Sequence, residues 1–179
     1  MPRLFVAIDL PATIKARLAE LVPFRDDVHR IQPAQYHLTL RFVGDCGDIE
    51  LARLLERLGE IQVSPFSFSI DKPGVFPSMR KPRVLWIGVR AGTPLFSLQA
   101  AVERAAKIDM ATNVRSQFRP HITLARLKHP DRNWLRDFLD NCAEMDAGDV
   151  EVKVFHLFSS TLHPNGAIHV RLADFPLGA

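Results

Sequence analysis

Short runs in which apolar and polar residues alternate are interleaved along this chain with longer runs in which apolar residues recur every three or four positions. These are the signatures of strands and of amphipathic helices. Residues 3–9 (RLFVAID) form a β-rich run ending at Asp9-Leu10-Pro11, and Ile14, Leu18, Leu21 and Val22 predict a helix from Thr13 to Phe24. A polar loop, Arg25 to Gln35, leads to the strand Tyr36 to Val43, with Leu38 and Leu40 on one face and His37, Thr39 and Arg41 on the other. Gly44 to Gly47 then turns the chain into a helix marked by Ile49, Leu51, Leu54, Leu55 and Leu58, with Asp48 and Glu50 at its electropositive end.

Residues 66–70 (FSFSI) alternate again, Lys72 to Pro82 reads as a proline- and glycine-rich loop, and Val84 to Val89 reads as a buried strand. Leu95, Phe96, Leu98 and Val102 predict a helix from Pro94 to Lys107, and a loop reaches Phe118-Arg119-Pro120. The run His121 to Arg126 repeats the earlier alternation, with Ile122 and Leu124 on one face and His121 and Thr123 on the other. A short helix at Trp134 to Asn141 and strands at Val150 to Ser160 and Ala167 to Leu172, joined by the turn-like Leu162 to Gly166, complete the series. Each half therefore runs strand, helix, His-x-Thr-Leu strand. This degenerate repeat predicts an α+β fold in which two pseudo-symmetric antiparallel sheets line a central cleft, with helices outside, as one bilobal domain over residues 1–179.

Composition narrows this picture only a little. The chain is 47% apolar and 24% charged, which fits a packed globular domain and argues against a disordered or fibrous one. Its formal charge of +3 is a mild basic bias that suits a polyanionic partner without specifying one. Cys46 and Cys142 match neither zinc-ligand spacing nor a disulfide framework and read as reduced thiols. No window approaches a membrane span, and Asp9 and Pro11 interrupt the apolar start too early for a signal-peptide core. A cytoplasmic monomer with no membrane partner is expected.

Within each motif the histidine and threonine are i and i+2 on a strand, so an imidazole and a hydroxyl project to the same side about 7 Å apart. If a twofold axis relates the lobes, the two pairs converge with one histidine on each side of the centre. In-line displacement at phosphorus needs that arrangement: a base for the attacking oxygen and an acid for the departing one. Imidazoles His37 and His121 suit both roles near neutral pH, Thr39 and Thr123 can hold non-bridging oxygens, and Arg126 can neutralise developing charge. One His-x-Thr-Leu arises readily by chance, whereas two at equivalent places in a repeat do not. Phe42 and Arg126 each lie five residues after a motif histidine, and we expect them to clasp a nucleobase, provided a bulge or strand end turns them to the histidine face. Core packing is the competing role for Phe42. Arg80, Lys81 and Arg83 in the proline-rich loop fit either a solvated connection or a guide for a nucleic-acid backbone. His29, His129, His156, His163 and His169 belong to no partner pattern and receive no role, and without an HExxH or Cys/His set no metal or other cofactor is expected.

The paired motifs resemble those of the 2H phosphoesterase superfamily, and RLFVAIDLP, HLTLRFVGD, GVFP, PHITLAR and LFSS resemble its RNA 2',3'-cyclic phosphodiesterase branch, long called 2'-5' RNA ligases. The resemblance spans nearly the whole chain. It implies the bilobal 2H fold and hydrolysis of a terminal RNA 2',3'-cyclic phosphate to a 2'-phosphate, with ATP-independent 2'-5' joining of RNA ends as the reverse type of chemistry. RNA ends, tRNA fragments among them, are the implied partners. The resemblance also implies that His37 is the acid protonating O3', that His121 is the base activating water, and that Thr39, Thr123 and Arg126 form the phosphate pocket. Pseudo-symmetry leaves the two histidines interchangeable on sequence alone. A phosphodiesterase for small cyclic nucleotides or 2'-5' oligonucleotides, and a non-catalytic module holding a nucleotide or RNA end, are the competing readings.

Overall fold

The apolar run near the start of the chain becomes β1 (Arg3–Asp9), in which Leu4 to Ile8 are all buried because both faces of the strand are covered. The computed structural model describes residues 3–107, 117–142, 147–163 and 166–178. Pro164 and Asn165 of the expected turn, and residues 108–116 of the expected loop after Lys107, lie outside the described residues. After β1 come α1 (Ala12–Leu21), β2 (Val28–Arg30), a 3-10 turn (Pro33–Gln35), β3 (His37–Asp45) and α2 (Asp48–Gly59). Next are β4 (Phe66–Phe76), β5 (Val84–Ala91), α3 (Thr93–Lys107), β6 (His121–Leu127) and α4 (Arg132–Asn141). Strands β7 (Asp149–Val152), β8 (Val154–His163) and β9 (Gly166–Pro176) complete the order. Local chemistry sets several ends: the Asp131 carboxylate accepts the Trp134 N–H at 2.8 Å and caps α4, while Asp48 and Glu50 open α2 and Arg57 closes it, each charge favouring the helix dipole.

The strands run in the antiparallel order β7-β4-β5-β6-β3-β1-β8-β9, and β2 adds to β6. Two four-stranded lobes, β7-β4-β5-β6 and β3-β1-β8-β9, meet at one pair, Leu38 opposite Ile122. The two expected sheets are thus joined into one hydrogen-bonded path by their two motif strands. The lobes are not simply the halves of the sequence. β4 follows the first motif yet pairs with β5, and β8 follows the second motif yet pairs with β1. The first half thus contributes β2 and β4 to the other's lobe, and the second contributes β8 and, through it, β9, which interlocks them.

One face of the central strands is apolar. Leu38, Leu40, Ile122 and Leu124 join Ile14 and Leu18 of α1 and Leu95, Leu98 and Val102 of α3 in a continuous core. Burying each such leucine or isoleucine stabilises the fold by about 1.5–3 kcal/mol. The helices lie on this side, and the histidines and threonines of the motifs are left on the other.

The structure departs from the sequence pattern where pairing outweighs local periodicity. β2 forms inside the expected loop Arg25 to Gln35, since three residues are too few to show a period but enough to pair with β6. β4 continues through Lys72 to Phe76, so the expected loop begins only at Pro77; Pro73 is tolerated because the β4–β5 register shifts between Ile70 and Pro73. The expected strand Val150 to Ser160 is two strands, β7 and β8. Arg41 does not share a face with His37: Val6 pairs with Arg41 and Ala7 with Thr39, leaving Leu40 as a bulge, and Arg41 reaches Glu103 of α3 at 3.0 Å.

Candidate active site

Because opposite residues in an antiparallel pair share a face, Leu38 and Ile122 point together into the core. The residues flanking them therefore point together to the other side. By this register His37 lies nearest Thr123, and Thr39 lies nearest His121. The two histidines are then diagonal neighbours, about 7–8 Å apart in an ordinary ladder. That spacing leaves room for one phosphoryl group. Both rings are half-buried.

The rings are held alike. The Nδ1–H of His37 donates to the Gln35 carbonyl at 2.7 Å, and the Nδ1–H of His121 donates to the Arg119 carbonyl at 2.6 Å. A carbonyl only accepts, so each ring carries its proton on Nδ1 when neutral. Nε2 is thereby the atom left for chemistry on both.

Bulges explain where two further expected site residues lie. Val84 pairs with Arg126, Leu85 with Ala125 and Trp86 with Thr123, so Leu124 bulges as Leu40 does in β3. Each bulge shifts the alternation by one and returns Arg126, and likewise Phe42 opposite Phe5, to the histidine face. Gly44, with φ of +93°, accommodates the second register shift of β3. Phe42 is 71% exposed, so packing in the core is not its role. Arg126 is also exposed, beside His29 of β2.

Each histidine has an aromatic bed that the periodicity did not single out. Phe5 lies 4.9 Å from the His37 ring, with Phe158 stacked on Phe5 at 5.1 Å. Phe76 lies 5.0 Å edge-on to His121, and Trp86 lies 6.1 Å from it. In each lobe one aromatic comes from the first strand of a half and the other from the exchanged strand. That is the physical content of the GVFP and LFSS segments. Gly74 makes room for Trp86, since a Cβ there would sit 2.3 Å from the indole. Gly74→Ala therefore displaces Trp86 and lowers kcat by about tenfold to a hundredfold, as misplacing a catalytic group does. Gly59→Ala, with nothing within 4 Å of the added carbon, leaves kcat unchanged when the two are compared by steady-state kinetics.

His169, given no role on sequence, stands against His37 with ring centroids 5.5 Å apart and planes at 89°, and edge-on to Phe5 at 5.0 Å. Its Nδ1 is buried without a hydrogen-bond partner. Strand β9 is fastened there by two polar ties: the Gln35 side-chain amide donates to the Ala167 carbonyl, and Arg171 reaches Asp9 at 2.8 Å. Asp9, opposite His37 in the register, also holds Lys15 at 2.6 Å. Burial holds the pKa of His37 down to about 4; His169 and Lys15 push in the same direction, while the Gln35 carbonyl and Asp9 oppose them. Burial lowers the pKa of His169 as well. Of the other histidines, His156 is buried, paired with Asp174 at 2.7 Å and edge-on to Phe158 at 5.8 Å. Among the described residues no group of three or more His, Cys, Asp or Glu side chains is arranged to hold a metal ion, and no helix is long and apolar enough to cross a membrane.

A duplicated fold that offers one imidazole and one hydroxyl from each repeat to a shared face defines a two-histidine phosphoesterase. The family described as LigT like Phosphoesterase matches the chain twice, over residues 8–86 and 87–169, so the repeat is the family's own unit. The chain belongs to this family of phosphoesterases. It is 33% identical over 177 residues to an RNA 2',3'-cyclic phosphodiesterase of Archaeoglobus fulgidus, covering 97% of this chain and 99% of the relative. It is 36% identical over 152 residues to the protein of that name from Aquifex aeolicus, covering 83% and 81%. A crystal structure from Thermus thermophilus matches with a TM-score of 0.81 at 27% identity, covering 98% of this chain and 97% of the other. Escherichia coli LigT complexed with ATP matches with a TM-score of 0.76 at 26% identity over 100% of both chains.

Proposed function

We propose that the protein opens the terminal 2',3'-cyclic phosphate of RNA to a 2'-phosphate, with His37 and His121 as the acid and base. The observation that carries this reading is the Leu38–Ile122 pair, which sets the two motif histidines diagonally on one face. Water attacks phosphorus and gives one proton to Nε2 of His121. The P–O3' bond breaks as O3' takes a proton from Nε2 of His37. One water is consumed, the products are a 2'-phosphate and a 3'-hydroxyl, and solvent returns the proton from His121 to His37 between turnovers. Thr39 and Thr123 donate to the non-bridging oxygens, and Arg126 offsets the charge that builds there. Phe42, exposed on the same face, stacks on the terminal base opposite Arg126. With the 5'-hydroxyl of a second RNA end in place of the attacking water, the same displacement of O3' joins the two ends in a 2'-5' linkage. The chain works in this reading as one bilobal, monomeric, cytoplasmic domain.

The test is incubation in EDTA with an RNA ending in a 2',3'-cyclic phosphate. Conversion to the 2'-phosphate is expected, scored by mass and by which ribose hydroxyl is free. A 3'-phosphate product, or binding without turnover, contradicts the proposal.

A further inference from the structure

Past the end of β6, the 77–83 loop and the β6–α4 connection enclose a pocket of about 290 Å3. Arg80, Lys81, Arg83, Lys128, His129 and Arg132 line it, and the rest of the lining is proline and leucine. The backbone holds these walls together. The Arg83 N–H donates to the Phe76 carbonyl at 2.8 Å, the Leu127 N–H to the Arg83 carbonyl at 2.8 Å, and the Arg132 guanidinium to the Arg80 carbonyl at 3.1 Å. His129 adopts a left-handed φ of 52°, an uncommon conformation for a residue with a side chain and one that gathers at ligand-binding loops.

Among the described residues no acid lines this pocket. Two acids of the neighbouring loops are engaged elsewhere: Asp27 holds Arg25 at 2.8 Å and accepts the Asp131 N–H, and Asp131 caps α4. Among the described residues no carboxylate comes within ion-pair distance of the five lysines and arginines in the lining. Like charges gathered in one concavity repel one another and create a strong field for a polyanion.

The position of the pocket selects the polyanion. Strand β6 carries His121 and Thr123 near its start and Arg126 near its end, and Lys128 follows directly. Thr123 to Lys128 spans about 17 Å of strand rise. A single strand of about three or four nucleotides covers that path, near the lower end of site sizes for single-strand grooves. Resting on the cyclic-phosphate reading above, we infer that this pocket binds backbone phosphates of the RNA strand whose cyclic end occupies the cleft. The preferred substrate is then an oligonucleotide rather than a nucleoside cyclic phosphate.

The combined variant Lys81→Gln, Arg83→Gln, Lys128→Gln tests this, none of the three residues lying in the catalytic cleft. Fluorescence anisotropy with an RNA of about eight nucleotides ending in a 2'-phosphate, titrated at several salt concentrations, reads binding without turnover. The wild-type protein is expected to bind this RNA at least about tenfold more tightly than a nucleoside 2'-monophosphate, with the gain complete by about four nucleotides. The variant loses the gain, and its salt dependence is shallower by about two counterions, at roughly 0.7 per phosphate contact. Its melting temperature and its kcat/KM on a nucleoside 2',3'-cyclic phosphate stay unchanged. Equal oligonucleotide affinity and salt slope in variant and wild type, or a wild type showing no gain with length, overturns the inference. If the wild type binds RNA in this way but turns over neither substrate, the cyclic-phosphate reading falls and the pocket stands.

Discussion

Replacing either His37 or His121 with alanine reduces kcat on an RNA 2',3'-cyclic phosphate by at least about a thousandfold, and replacing both costs scarcely more than replacing one. Each ring is assigned one of two proton transfers in a single displacement, so losing either removes the concerted path. The second loss then finds little left to remove. Neither substitution threatens the fold, because both rings lie on the face opposite the core formed by Leu38 and Ile122, and neither belongs to the buried cluster. Melting temperatures near that of the parent protein check this. Parallel kinetics that left either single variant within tenfold of wild type would contradict the assignment.

The second large effect concerns pH. In the free protein, burial among Phe5, Phe158 and His169 holds His37 near a pKa of about 4, so the ring is neutral at neutral pH. The acid role proposed for this ring requires a proton on it. The substrate supplies the means, since a phosphate anion within a few ångströms raises a histidine pKa by about 1–3 units. Binding therefore takes up a proton at pH values between the free and bound pKa values, and affinity for the phosphate rises as pH falls through that window. The sign for stability follows the same logic. The unfolded chain binds this proton near 6.5, so below that pH it holds more protons than the native state, and native stability declines as pH falls from about 6.5 towards 4. NMR titration of His37 checks both statements. A midpoint near 4 is expected in the free protein, with an upward move of one or more units when a nucleoside 2'-monophosphate is bound. An unshifted free ring, or one indifferent to the ligand, contradicts this account of how the acid acquires its proton.

The motif residues were legible because a period of two is a property of any strand: His37 with Thr39, and His121 with Thr123, must share a side wherever the strand is placed. The repeat was legible for a similar reason, as two equal patterns ask for equal surroundings. The faces of Arg41, Phe42 and Arg126 were harder to read. They depend on single-residue bulges at Leu40 and Leu124, and a bulge is decided by the partner strand rather than by the residues that bulge. His169 was invisible for a stronger reason. It reaches His37 only because β8 joins β1 and β9 follows β8, a pairing between the two ends of the chain. The exchange of β4 and β8 between lobes was likewise hidden, since strand composition does not name a neighbour. The basic residues of the 77–83 loop were visible in sequence, but their meeting with Lys128 and Arg132 required the hydrogen bonds between that loop and the end of β6.

The central assertion is geometric, and a crystal structure with a nucleoside 2'-monophosphate in the cleft measures it directly. Nε2 of His37 and Nε2 of His121 should each lie about 2.7–3.2 Å from a different oxygen bound to the same phosphorus or from the freed O3', with Thr39 and Thr123 on the remaining oxygens. A phosphate reached by only one of the two rings, or bound away from both, contradicts the account.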